Sequence, residues 1–266
     1  MKKTIINNFV FKEKPSFAKL WDICLYNLMY DAPKYVIEIE KMLKEIKLNK
    51  DSNYIDLSAG TGFLSLELAQ KGYSFDFMDA MDDEIEEFNS KASKMKVKAH
   101  CKKLTWLKIP GNFPDNHYDM AFCRGNSFIF AAGGWNEPNK VDPVRNKEIY
   151  EKTLKIFYNL LKKGGYLYID KFKDDELPGK SLVGKIVVNK NVSDLLFYTE
   201  IKKEEGYRKS SMLLRDTNGK EEGLPNMTYL LSLSELEDML KKVGFSEIKQ
   251  VKLKSEEHFV VLLAKK

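Results

Sequence analysis

The stretch Asn53 to Phe63, NYIDLSAGTGF, runs from apolar residues into a turn of small ones and continues without a break into LSLELAQKG at 64–72. That order predicts a strand ending at Asp56 or Leu57, a tight turn holding Ser58, Gly60 and Gly62, and a helix beginning near Phe63. Glycine lets the backbone turn with positive φ and lets a ligand approach with no Cβ in the way. In a dinucleotide-binding turn the pattern GxGxxG cradles a pyrophosphate at the helix N-terminus. Here the corresponding letters are Ser58, Gly60 and Phe63, so that fingerprint fails at two of its three glycines. The following strand, YSFDFMD, ends at Asp79, 19 residues after Gly60. A carboxylate there accepts hydrogen bonds from ribose hydroxyls and disfavours a 2′-phosphate, which points to an adenosine-type ligand without phosphates.

Outward from this turn, strands and helices alternate. Residues 34–48, KYVIEIEKMLKEIKL, place Val36, Ile39, Leu43 and Ile46 on one helical face and Lys and Glu on the other. After them YIDL reads as strand, FLSLELAQ as helix, YSFDFMD as strand and DDEIEEFNSKAS as helix. MKVKAH and YDMAFC read as strands, 144–163 as helix and GYLYID as strand. The alternation predicts βαβ units, an α/β fold with a Rossmann-like, seven-stranded, mostly parallel sheet and helices on both faces. Beyond Asp170 the segments SLVGKIVV, LLFYTEIK, RKSSMLLRD and MTYLLSL are separated by Gly, Asn and Pro, the pattern of an antiparallel meander. The chain closes on SLSELEDMLKKVGF, a helix capped by Ser232 or Ser234 and ended by Gly244, then on SEIKQVKL and EHFVVLLAK as strands. The resulting division is an N-terminal lid and helix over 1–50, a ligand-binding domain over 51–170 and 232–266, and an antiparallel β insertion over 171–231.

Composition narrows the function classes. At 266 residues the chain buries a full core without disulfides or metal. Its 44 basic and 39 acidic residues give a net charge of +5, and Lys-rich runs alternate with apolar residues, so no nucleic-acid partner is expected. Cys24, Cys101 and Cys123 stand in unrelated contexts without zinc-ligand spacing, which predicts a reducing, cytoplasmic setting and no metal. The first residues lack an apolar stretch long enough for a signal peptide, and no segment approaches the roughly 18 uncharged residues of a membrane span. A soluble, unprocessed enzyme with a small-molecule substrate, able to form a homo-oligomer, is the expectation.

The sequence resembles the class I methyltransferases that use S-adenosylmethionine. DLSAGTG at 56–62 is similar to their first motif, D/E-x-G-x-G-x-G, and FMDAMDDEI to their second, with Asp79 as the ribose acid. FCRGNSFIF at 122–130, GGYLYIDKFKDDE at 164–176 and the meander before the last helix are similar to the glycine and sarcosine N-methyltransferase branch, and the resemblance runs from about Phe17 onward. It implies S-adenosyl-L-methionine as cofactor, held by Asp56, Ser58, Gly60, Gly62, Asp79, Ala80 and Met81, with Cys101 where the family's adenine-contacting acid stands and Arg124 at the same mouth. It also implies Asn126 in the substrate pocket and tyrosines of the N-terminal lid, here Tyr26 and Tyr30 beside Trp21, around substrate and methyl donor. Asn126, Tyr26 and Tyr30 are the candidate catalytic residues, orienting the acceptor's lone pair.

Arg124, Asn126, Phe172 and Tyr229 are the candidate acceptor-binding residues. The arginine that would clamp glycine's carboxylate is replaced by Phe172, so the expected acceptor is a small molecule, methylated on an amine nitrogen, that is not glycine; Arg124 is the residue able to overturn this. Asp82 is read as the cap of the helix after Asp79, leaving Asp79 free for ribose. The histidines His100, His117 and His258 have no paired partners and receive no role as base. The NPPY or DPPY motif that holds an extruded nucleobase amine is absent. Two other readings stay open: a nucleic-acid or protein methyltransferase, and a noncatalytic binding subunit with the same fold.

Overall fold

The computed structural model describes residues 7–133, 141–173, 179–223 and 226–266. Two sheets organise it. The larger has seven strands in the order β12-β13-β6-β5-β2-β3-β4. Its strands are β2 (Asn53–Asp56), β3 (Ser74–Asp79), β4 (Cys101–Lys103), β5 (Tyr118–Cys123), β6 (Leu161–Phe172), β12 (Glu247–Val251) and β13 (Phe259–Lys265). β4, β3, β2, β5 and β6 pair in parallel, while β13 and β12 add antiparallel strands at one edge. β2 is central and its Tyr54, Ile55 and Asp56 are buried, as a short apolar run covered on both faces requires.

The intervening helices cover the faces. α2 (Ala32–Glu45), α3 (Ser65–Gln70) and α4 (Asp82–Met95) precede or connect the first strands, α5 (Pro143–Leu160) leads into β6, and α6 (Leu233–Val243) precedes β12. α2 buries Tyr35, Ile39, Met42 and Leu43, the stripe that its apolar spacing implies, with Val36 and Ile46 partly buried beside it. The serine capping α6 is Ser232, in a reciprocal capping box with Glu235, and Gly244 ends the helix.

The second sheet is built mostly from the segment after β6. β7 (Gly179–Val188), β8 (Asn191–Lys202) and β9 (Tyr207–Arg215) form an antiparallel meander, extended by β10 (Glu221–Glu222) and β11 (Asn226–Tyr229), both paired with β9. Residues 174–178 and 224–225 of the expected insertion, 1–6 of the expected lid and the end of the GGYLYIDKFKDDE motif lie outside the described residues. Sequence reading missed β1 (Asn8–Phe11), which pairs in parallel with β7 and joins the N-terminal segment to this sheet. Only distant pairing reveals such a strand. From β1 the chain enters α1 (Phe17–Cys24), capped by Ser16, and a wider π-helical turn over Leu25–Met29.

Two expectations are corrected. MKVKAH is not a strand: α4 runs on to Met95 and Lys96 ends it in the left-handed region at φ 57°. Val97 and Ala99 do alternate inward against the α4 cluster, but pairing with β3 begins only at Cys101. Asp82 does not cap α4. The preceding residue is Met81, Asp82 pairs with Lys103 at 2.6 Å on the surface, and it is Asp79 that accepts from the Met81 N–H at 3.0 Å. Chemical denaturation checks this difference: Ser232→Ala costs about 1 kcal/mol of stability through its lost cap, whereas Asp82→Ala costs less than about 0.5 kcal/mol, the scale of an exposed pair.

Candidate functional site

The carboxyl ends of the parallel strands surround a cavity of about 580 Å³. Its floor is the turn after β2, where Ser58, Ala59, Gly60 and Thr61 line the space. Gly60 turns with φ 51° and Gly62 with φ 85°. The two glycines serve different needs. A Cβ on Gly62 would stand 2.3 Å from Leu66 Cδ1, so that residue is small for packing beneath the turn, and it is not among the cavity-lining residues. Gly60 faces the cavity, with the Glu84 carboxyl 3.4 Å from where its Cβ would stand.

Asp79, at the end of β3, lines the wall beside this turn together with Ala80 and Met81. Its carboxylate accepts from Gly60 N at 2.8 Å and Met81 N at 3.0 Å, so it is a tether of the turn as well as a group presented to the cavity. Burial raises its pKa above the ordinary carboxylate value, against the lowering effect of those amides. The next wall is Leu104, Thr105, Trp106 and Leu107, which follow β4. Trp106 N–H donates to Leu57 O at 2.5 Å, fixing the indole in this wall. Cys101 does not belong here: it is buried under Phe77 and Phe88 within the α4 cluster.

Asp56 and Arg124 lie below and beside the turn. Asp56 is fully buried and not among the lining residues; Arg124 lines the cavity but spends its Nη2 on Asp56 Oδ2 at 2.6 Å, Phe63 O at 2.9 Å and Ser65 Oγ at 2.6 Å. Burial works against its charge, but the Asp56 carboxylate, its hydrogen bond and the nearby Tyr35 and Tyr30 hydroxyls together raise its pKa above the ordinary arginine value. This corrects the reading of Arg124 as an anion clamp: the guanidinium is already engaged by a carboxylate. Ser58 Oγ accepts from Arg124 N at 3.1 Å, so its hydroxyl also joins the two loops.

Past β5, Gly125 and Asn126 adopt φ 71° and 59°, and both amides donate to Asp170 at 2.8 and 2.6 Å. Asn126 Oδ1 accepts from Phe172 N at 2.9 Å, an engagement that leaves its amide nitrogen for a ligand. Tyr30 lines the large cavity, with its hydroxyl 3.5 Å from Asp170. Tyr26 does not: its hydroxyl donates to Glu67 at 2.6 Å and its ring meets Phe63 edge-on. Tyr229 is also elsewhere, bonded to Glu235 at 2.7 Å and packed against Tyr150.

A second cavity of about 40 Å³ lies between the sheets and shares Trp21, Gly125 and Phe130 with the first. Asn126 and Phe172 line it from one side, Phe197, Thr199 and Arg208 from the other. The Arg208 guanidinium carbon stands 5.2 Å from the Phe172 ring centre. Sequence reasoning placed no cation beside Phe172 and drew from that the exclusion of glycine; Arg208 removes that premise. A signal existed, since Arg208, Ser210 and Met212 alternate along β9 and so share a face. Glu84 was also missed. It sits four residues before Phe88 and eight before Ala92, on the buried stripe of α4. Among the described residues no cluster of metal-ligating side chains occurs, and no helix is long and apolar enough to cross a membrane.

Comparison with known proteins gives a consistent picture. A family model described as a methyltransferase domain matches residues 48–217. Glycine N-methyltransferase of Rattus norvegicus is 22% identical over 189 residues, covering 66% of this chain and 60% of the relative. The chain thus spans about three fifths of the length of that relative. Among solved structures, an S-adenosylmethionine-dependent methyltransferase from Clostridium acetobutylicum aligns with TM-score 0.65 and 18% identity over 94% of this chain and 97% of its own. A sugar N-methyltransferase from a Streptoalloteichus species aligns with TM-score 0.67 and 11% identity over 96% and 95%. These structural likenesses establish the fold.

The Asp56–Arg124 pair makes a prediction of its own. Arg124→Met leaves a buried carboxylate without its partner and costs about 3 to 5 kcal/mol in denaturant unfolding, and the double variant Asp56→Leu/Arg124→Met costs less than Arg124→Met alone.

Proposed function

This chain belongs to the methyltransferase-domain family, and from that premise we propose that it transfers a methyl group from S-adenosylmethionine to the amine nitrogen of a small molecule. The observation carrying this reading is the junction at Gly125, where the larger cavity, bounded by the ribose-type acid Asp79, meets a small aromatic cavity through a residue without a side chain.

The residues fit the donor. An adenosine moiety is matched by Asp79 beside the Gly60 turn and by the apolar wall of Leu104, Trp106 and Leu107; Trp21 and Tyr30 supply aromatic surface for a sulfonium. S-adenosylmethionine supplies an activated methyl: the nitrogen lone pair forms the new C–N bond as the C–S bond breaks, its electron pair goes to sulfur, and the methylated ammonium then loses a proton. With so good a leaving group the chain has chiefly to align the partners and exclude water, an effect of about 7 to 11 kcal/mol in favourable cases. Asp170 holds the Gly125 and Asn126 amides and so sets the wall that both partners touch. Asn126, through its remaining amide N–H groups, and Tyr30 orient the acceptor. The small volume of the second cavity supports a compact acceptor over a polypeptide or a nucleobase.

Arg208 puts a cation 5.2 Å from the Phe172 ring while donating to Lys173 O at 3.2 Å, so a carboxylate-bearing amine stays among the candidate acceptors beside a neutral one. Turnover of glycine, sarcosine and carboxylate-free amines, read by release of S-adenosylhomocysteine, tests the reading; release with no small amine overturns it. Arg208→Met is expected to lower turnover of carboxylate-bearing amines about tenfold while sparing the others, since the positive charge beside that cavity is lost. Equal losses in both groups would make Arg208 a packing residue. At the donor, Asp79→Ala removes an acceptor of ribose hydrogen bonds and lowers affinity for S-adenosylmethionine by about tenfold or more in calorimetry. Unchanged affinity would reject Asp79 as a donor-binding residue.

A further inference from the structure

Glu84 is an acid in an unexpected place. It lies in the first turn of α4, is only 4% exposed, and lines the large cavity next to Gly60 and Asp79. Its Oε2 is buried without a hydrogen-bond partner. A buried polar atom left unpaired costs stability, so folding alone gives no reason for this side chain. Position 84 belongs to the stripe that also buries Phe88 and Ala92, where an apolar residue would pack without that cost.

Asp79 sharpens the point. One of its oxygens accepts from Gly60 N and the other from Met81 N. A ribose presents two neighbouring hydroxyls, and Asp79 meets them with both oxygens already committed to backbone amides. Glu84 brings an uncommitted oxygen to the same side of the turn. Burial first, then the nearby carboxylates of Asp79, Asp83 and Asp22, push the Glu84 pKa well above the ordinary glutamate value. That shift favours the protonated form, in which a carboxyl donates from one oxygen and accepts at the other.

We infer that Glu84 is a second ribose-binding residue of the donor site, holding with Asp79 the vicinal diol of the adenosine moiety. The inference rests on the assignment of the large cavity to S-adenosylmethionine. It explains why the buried stripe of α4 carries an acid: the stability lost in the empty site is offset when a hydroxyl reaches Oε2.

Calorimetry with S-adenosylhomocysteine, with 5′-methylthioadenosine and with the 2′-deoxy and 3′-deoxy forms of the latter tests it on wild type, Glu84→Gln and Glu84→Leu. Glu84→Leu is expected to lower affinity for S-adenosylhomocysteine about tenfold while raising the melting temperature, because one hydrogen-bonding group is lost to the ligand and one buried unpaired atom is removed from the fold. The decisive quantity is the ratio of affinities for 5′-methylthioadenosine and its deoxy forms. In wild type one deoxy form binds about tenfold more weakly; in Glu84→Leu that ratio shrinks at least about threefold, the mark of a direct contact. Glu84→Gln, which keeps a donor and an acceptor, retains most of the discrimination. A ratio unchanged in Glu84→Leu, with or without a higher melting temperature, overturns the inference and leaves Glu84 as an unpaired acid of the core. Should Glu84→Leu fail to fold, Glu84→Met reads the same ratio. Failure of wild type to bind S-adenosylhomocysteine at all would instead reject the assignment of the cavity.

Discussion

The contact between Asp56 and Arg124 knots together the mouth of the parallel sheet. Asp56 is the last residue of β2 and Arg124 the first after β5; both side chains are almost wholly buried and meet at 2.6 Å. The same guanidinium nitrogen reaches Phe63 O on the far side of the turn and the hydroxyl of Ser65, where α3 begins. Taking two charges out of water costs several kcal/mol apiece, and the cost is offset only when partners satisfy each of them. One cation therefore holds two strand ends, a turn and a helix start in fixed relation. That constraint lets Leu64 persist at φ 65° and ψ −50°, a rare γ-turn conformation closed by Ser65 N donating to Phe63 O at 2.9 Å, which a bulky side chain adopts only where its surroundings over-determine it.

The same device recurs around the mouth. Asp56 accepts from Ser58 N at 3.2 Å, Asp79 from Gly60 and Met81, and Asp170 from Gly125 and Asn126. Each aspartate closes or nearly closes a strand and folds a loop over its own carboxylate. A backbone amide in a bare loop needs a partner, and a short acid at the strand end supplies one without adding bulk where ligands lie. Behind Asp170 stands a buried set of acids and phenols: Tyr168 donates to Glu256 at 2.5 Å and its hydroxyl lies 2.8 Å from that of Tyr35. The loop bearing Gly125 is thus set by groups that line neither cavity.

What could be read from the sequence divides along the same line. Strand and helix alternation, the turn at Gly60, the acid at Asp79 and the cap at Ser232 are local patterns, and the fold and one wall of the larger cavity follow from them. The remaining features depend on residues far apart in the chain. Tyr26 sits in a plausible lid yet turns to Glu67, Tyr229 turns to Glu235, and Cys101 goes under Phe88, because each finds a nearer partner. Arg208 enters the Phe172 wall from the insertion, 36 residues further along. Only the tertiary fold, which also carries Arg208 Nη2 to Lys173 O at 3.2 Å, makes that pair. Glu84 was hidden for another reason: in an acidic run it reads as solvated surface, and only its phase with Phe88 betrays burial.

The two cavities draw on different parts of the chain. β8 and β9 contribute Phe197, Thr199, Arg208 and Met212 to the small one, and no residue of the second sheet lines the large one. Gly125, Trp21 and Phe130 are the common boundary. Substitutions along the second sheet can reshape the small cavity while the strand-end aspartates and the Gly60 turn stay as they are. In the course of descent, one pocket of such a chain can be remade while its neighbour is kept.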